Sequence, residues 1–124
     1  MREILFRGKV TQDKWVYGFY ENVKLEEATI HYVDGKIVIP ETVGQFTGLT
    51  DKNGKKIFEG DIVQIKDFTH GCALNYEQPT SNWVVHWRED MARFCIDYMS
   101  YFPFDFTKSE VIGNVHDNKE LLGE

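Results

Sequence analysis

Residues 41–66, ETVGQFTGLTDKNGKKIFEGDIVQIK, leave the chain few ways to fold. Val43, Gln45, Thr47 and Leu49 alternate against Thr42, Gly44, Phe46 and Gly48, the period of an extended strand. Asp51-Lys52-Asn53-Gly54 then reads as a turn, because Asn and Gly tolerate the left-handed backbone that a reversal needs. Lys55 to Phe58 leads out, Glu59-Gly60-Asp61 makes a second bend, and the β-branched run from Ile62 to Ile65 reads as a buried strand. The stretch carries no nucleophile–base pair, metal cage or Walker-type loop. It specifies how the chain bends rather than what it catalyses.

The flanking sequence continues in the same mode. Residues 3–10 read as a strand ending near Gly8, followed by the polar turn Thr11-Gln12-Asp13. Trp15, Tyr17 and Phe19 then alternate with Val16, Gly18 and Tyr20, completing a hairpin in which Gly18 marks a bulge or a close backbone approach. Residues 22–28 are charged and weakly patterned, and read as a loop or a single helical turn. Residues 29–33 and 36–39 are β-branched runs separated by Asp34-Gly35, the signature of a type I′ hairpin. Pro40, lacking an N–H, ends the second run.

Beyond residue 66 the pattern loosens. Residues 67–82 show no period and include Gly71 and Pro79, so they read as a long loop of variable structure. Residues 83–88 and 93–98 form a second alternating hairpin around the Glu89-Asp90 turn. Tyr101-Phe102-Pro103-Phe104-Asp105-Phe106 is the densest aromatic patch. Residues 110–116 make a last strand, and Asp117 or Asn118 caps a short helical turn through Leu121 and Leu122.

Composition agrees with a single β-rich domain over residues 1–124. The chain is 42% hydrophobic and 15% aromatic, with nine Phe, six Tyr and three Trp. Aromatic and β-branched residues fit a half-buried pleated surface. The net charge of −6 provides no overall excess of the Lys and Arg that displace counterions from nucleic-acid phosphates. Two cysteines, Cys72 and Cys95, are too few for a disulfide framework and read as reduced, packed thiols. The N-terminus has no apolar leader region and no apolar run reaches the length of a membrane span, so a cytoplasmic location is expected.

Several constellations invite a chemical reading. His70 and Cys72 are two apart, with His86 and Cys95 the remaining metal-ligand candidates; a structural zinc site wants four ligands, and the paired spacings are missing. His86 with Asp97 or Glu89 has the residue types of a general base and its orienter, but no nucleophile adjoins it. Glu59 and Asp61 flank Gly60, where turn chemistry explains them better than a paired-carboxylate site does. Lys52, Lys55 and Lys56, with Lys66 as a further candidate, form the one basic patch. Flanked by Phe46 and Phe58, they suggest contact with single-stranded nucleic acid. Tyr101, Phe102, Phe104 and Phe106 fill a core or coat a subunit interface.

The chain resembles the YopX family of phage and prophage proteins. The matching pieces are REILFRG (residues 2–8), WVYG (residues 15–18), residues 41–65 and EVIGNVHDNKELL (residues 110–122). The most specific is VGQFTGLTDKNGKKIFEGDIV. Phe46 and Phe58 stand where the family often has Tyr. The resemblance implies an all-β fold with a small Src-homology-3-like barrel, phage or prophage origin and action inside a bacterial host cell. It carries no established activity and therefore no catalytic residues. The combined expectation is a non-enzymatic protein without cofactor or metal. It acts by contact with a phage or host protein or as a homo-oligomer, with nucleic-acid association through Lys52, Lys55 and Lys56 as the alternative.

Overall fold

Alternation of side chains dominates the sequence, and strands dominate the fold. The computed structural model describes residues 4–66, 80–90, 92–96 and 106–123, whose regular elements are strands and three short 3-10 turns. The fold is all-β, as expected. The chain divides into two compact units, Met1–Gly48 and Leu49–Glu124.

In the first unit, β1 (Phe6–Thr11) and β2 (Lys14–Gly18) form the opening hairpin. β1 does not end at Gly8. Gly8 pairs with Val16, and its missing side chain is what Val38 packs over, since a Cβ there would lie 3.0 Å from the Val38 Cβ. A close approach also explains Gly18, where a Cβ would stand 2.9 Å from that of Asp34.

β3 (Tyr20–Lys24), β4 (Thr29–Val33) and β5 (Lys36–Ile37) make a three-stranded antiparallel sheet in that order. Part of the segment expected as loop or helix, residues 22–24, is therefore strand. It stays in register with β4, which Val23 bonds through its backbone, and Leu25 N–H to Ala28 carbonyl, 2.7 Å, closes the reversal. The charged side chains that obscured the pattern, such as Glu21 and Lys24, are exposed. Asp34 and Gly35 have φ of 54° and 71°, both positive as the I′ turn requires. Pro40 opens a 3-10 turn, Pro40–Thr42. Val16, Val33 and Val38 form the buried centre, with Phe6, Val10, Tyr20 and Val43 packed around them.

β6 (Gly44–Thr50) begins beside β1, pairing Gly44 with Arg7. Its far end opens the second unit, which contains β7 (Lys56–Phe58), β8 (Asp61–Lys66), β9 (Thr80–Val84), β10 (His86–Arg88), β11 (Arg93–Cys95) and β12 (Glu110–Asn114). β8 lies between β12 and β9, and its successive residues Ile62 and Val63, which point to opposite faces, are both fully enclosed. The expected loop over residues 67–82 gives way to strand at Thr80, and its residues 67–79 lie outside the described residues.

Residues 83–88 are not one strand. Val84 pairs with Ile62, whereas His86 pairs with Cys95. At the break, Val85 donates its N–H to the Asp61 carbonyl and accepts that of Gly60, each at 2.9 Å. The Gly60-Asp61 corner thus supplies the hydrogen bonds that a straight ladder would have given. Ile57, Val63, Ile65, Val85, Ile96 and Phe106 form the core, in keeping with the expected small barrel. Full burial of each such Ile or Val side chain contributes about 1.5–3 kcal/mol.

The chain closes with a 3-10 turn, Lys119–Leu122, preceded by Asn118. Asn118 does not cap it through its side chain; its Oδ1 accepts the Asn114 N–H at 3.2 Å instead. Among the described residues no helix is long and apolar enough to cross a membrane.

Candidate functional site

The basic turn after β6 is built around one carboxylate. Asp51 is 4% exposed. Its Oδ1 accepts the N–H groups of Asn53 and Lys55 at 2.8 and 2.9 Å, and its Oδ2 accepts that of Val111 at 2.9 Å. Burial alone would raise the Asp51 pKa. The amides of Val111, Lys55 and Asn53 and the Lys55 charge outweigh it, holding the carboxyl below its ordinary value. The backbone adds Asp51 N–H to the Lys55 carbonyl, 2.9 Å, and Lys52 N–H to the Ser109 carbonyl, 2.9 Å. Lys52, Lys55 and Lys56 are consequently exposed on a turn of fixed shape. Lys52 Nζ reaches Glu110 at 3.5 Å, a half-exposed pair that water screens.

The aromatic neighbours do not share that surface. Phe46 and Phe58 are 6% and 5% exposed, so neither offers a stacking platform. Lys66 ends β8, opposite Thr80. At the second bend, Asp61 is buried and its Oδ2 accepts the Phe58 N–H at 2.7 Å. Its carboxylate is committed to the corner, as turn chemistry predicts.

β10 and β11 set His86 opposite Cys95, with Nε2 3.9 Å from Sγ. His70, Cys72 and Asp97 lie outside the described residues, as do Tyr101, Phe102 and Phe104. Among the described residues, no group of three or more His, Cys, Asp or Glu side chains converges as metal ligands would. Phe106 is 4% exposed within the core and presents no surface.

Two features of the first unit escape a sequence reading. Arg7 and Lys9 are buried on β1, where the guanidinium lies 4.6 Å and the ammonium 5.5 Å from the Trp15 ring centre. The pairing of Lys9 with Trp15 in the hairpin register is the signal that would have revealed them.

The other feature is an apolar row on the three-stranded sheet. Glu21 pairs with Tyr32, Val23 with Ile30, and Tyr32 with Ile37, all on the face opposite Tyr20, Asn22, His31 and Val33. Val33 faces the core, and Tyr20 Oη lies 2.6 Å from His31 Nδ1 beside it. The opposite face is open to solvent, with Phe19 77%, Ile37 61%, Leu25 57% and Val23 44% exposed. The signal was the alternation of Phe19, Val23 and Leu25 through a charged stretch.

The YopX family model matches residues 4–123. The chain belongs to the YopX family. No curated protein matches it. Among solved structures, protein EF1440 from Enterococcus faecalis is similar at a TM-score of 0.61 and 20% identity, covering 98% of this chain and 99% of the other. That likeness extends to the fold alone. YopX membership matches the motifs read from the sequence at the start, middle and end of the chain.

Proposed function

We propose that this YopX-family protein is a non-enzymatic interaction module of phage or prophage origin, acting in the bacterial cytoplasm through contact with a protein partner. The supporting observation is the open apolar row of Phe19, Val23, Leu25 and Ile37 on the β3–β4–β5 sheet. A monomer gains nothing by wetting four large apolar side chains on one sheet face, and contiguous patches of this kind mark interaction sites. Buried Asp51 and Asp61, the acids best placed for chemistry, serve backbone turns instead.

Size-exclusion chromatography with light scattering, joined to affinity capture from lysogenic cells, tests this reading. A self-assembled species or a stoichiometric captured protein is expected. A strict monomer that captures no protein overturns it. A second reading rests on the Asp51-held turn, which displays Lys52, Lys55 and Lys56 together and suits phosphate contact. Titration with single- and double-stranded oligonucleotides at two salt concentrations tests it, and absence of binding at low salt removes it.

A further inference from the structure

We infer that a second copy of this chain pairs antiparallel along β3, with Asn22 of each copy opposite Asn22 of the other. The inference rests on the reading that the protein works through protein contact, and it names the partner.

Among the described residues β3 is the outer strand of its sheet. Natural edges are guarded by charged side chains, proline, bulges, inward charges or very short length. β3 carries the charged Glu21 and Lys24, but it has five residues, no proline and an unbroken register against β4. The other edge of the sheet, β5, is two residues long and soon meets Pro40. The phase of the ladder is fixed by two bonds, Asp34 N–H to the Phe19 carbonyl at 3.0 Å and Leu25 N–H to the Ala28 carbonyl at 2.7 Å. Odd-numbered residues of this segment therefore turn their amides to β4. The backbone N–H and C=O groups of Tyr20, Asn22 and Lys24 point away from it.

A two-fold axis normal to the sheet sets one residue of β3 opposite itself. Centred on Glu21, the pairing would oppose two like carboxylates. Centred on Val23, it would take Tyr20 beyond the strand to Glu26. Centred on Asn22, it joins Tyr20 to Lys24 and Asn22 to Asn22, so every outward amide of β3 gains a partner. The same register matches the open face. Phe19, 77% exposed, meets Leu25 of the second copy, 57% exposed, and Glu21 meets Val23. These are the close, non-hydrogen-bonded positions, with Cα atoms about 4.5 Å apart, where side chains touch most. No like charges oppose each other anywhere in this pairing. The apolar rows of both copies then lie on one side of a continuous sheet.

The experiment uses the full chain with Cys72→Ser. Oxidised Asn22→Cys is expected to give a disulfide-linked dimer, since a directly opposed pair has Cα atoms about 5.5 Å apart, within disulfide reach. Val23→Cys, two residues out of step with its counterpart, is expected to crosslink at least about tenfold less. Asn22→Pro removes an outward N–H while leaving the β4 ladder intact, and is expected to weaken self-association at least about tenfold with the far-ultraviolet spectrum unchanged. A wild-type assembly that Asn22→Pro leaves unchanged, or that crosslinks through Val23→Cys in preference to Asn22→Cys, overturns this interface while the protein-contact reading stands. A monomer that still captures another protein also overturns it. A monomer that captures nothing overturns both.

Discussion

The Asp51 carboxylate accepts the Val111 amide at 2.9 Å across 60 residues of chain. The same side chain holds its own turn through Asn53 and Lys55. Local turn and distant strand therefore depend on one buried anion. Hydrogen bonds to a charged group contribute about 1.5–3 kcal/mol each, and truncation leaves buried amides unsatisfied. Asp51→Ala is expected to lower unfolding free energy by about 3 kcal/mol, read by urea denaturation. A loss under about 1 kcal/mol would show that water replaces the carboxylate without difficulty.

Acid should act on the same residue. The folded pKa of Asp51 lies below its ordinary value. The folded state therefore binds this proton less readily than the unfolded chain. The resulting stability is complete above the ordinary carboxylate value, near pH 4, and is lost as pH falls through the lower folded value. Asp51→Asn, already less stable at neutral pH, is expected to lose less further stability between about pH 5 and pH 2 than the parent does. Parallel pH profiles of the two proteins would contradict the assignment.

Gly113 tests the C-terminal turn. A Cβ at this position would sit 2.5 Å from Asn118 Oδ1 and 2.9 Å from Asn118 Cβ, so swinging the amide aside does not clear it. Gly113→Ala is expected to cost about 1–3 kcal/mol, measured by thermal unfolding. An unperturbed melting temperature would mean that the turn shifts freely.

Ala92 offers the opposite sign. Its φ is 51°, the left-handed region, in the turn joining β10 to β11. That conformation costs an L-residue about 1–2 kcal/mol. Glycine removes the strain but loses about 0.5–1 kcal/mol to greater freedom in the unfolded chain. The strain term wins, and Ala92→Gly is expected to raise stability by about 0.5 kcal/mol, resolvable as a higher urea midpoint with unchanged slope.

Phe106 settles what one member of the aromatic patch does. At 4% exposure among Ile57, Val63 and Val85, Phe106→Ala should cost about 3–5 kcal/mol. A surface residue would lose far less, so a change within about 0.5 kcal/mol would overturn the core placement.

What could be read in the sequence depended on whether local chemistry alone decided the outcome. Asp34-Gly35, Asn53-Gly54 and Gly60 require particular backbone angles, and those requirements survive any tertiary context. Val85 was illegible because alternation cannot say where a strand changes partner. Residues 22–24 were illegible because Glu21 and Lys24 face solvent and mask the apolar spacing of Phe19, Val23 and Leu25. The same masking hides the open apolar row, whereas the lysine turn is contiguous in sequence and legible; the burial of its neighbours Phe46 and Phe58 is set by tertiary packing and is not.

The turn at Asp51 also bears on how the protein ages. An Asn-Gly step loses its side-chain amide when the glycine nitrogen attacks the Asn side-chain carbonyl carbon, expelling ammonia as a cyclic imide closes, and water then opens the imide to a carboxylate. Here the Gly54 N–H is bound to the Asp51 carbonyl at 3.0 Å, and the Asn53 N–H to the Asp51 carboxylate. The N–H of the nucleophile is thus engaged for as long as the turn is formed. Deamidation at Asn53 is therefore expected to run faster whenever the turn opens, and the charge it adds accumulates with the time each molecule has spent there.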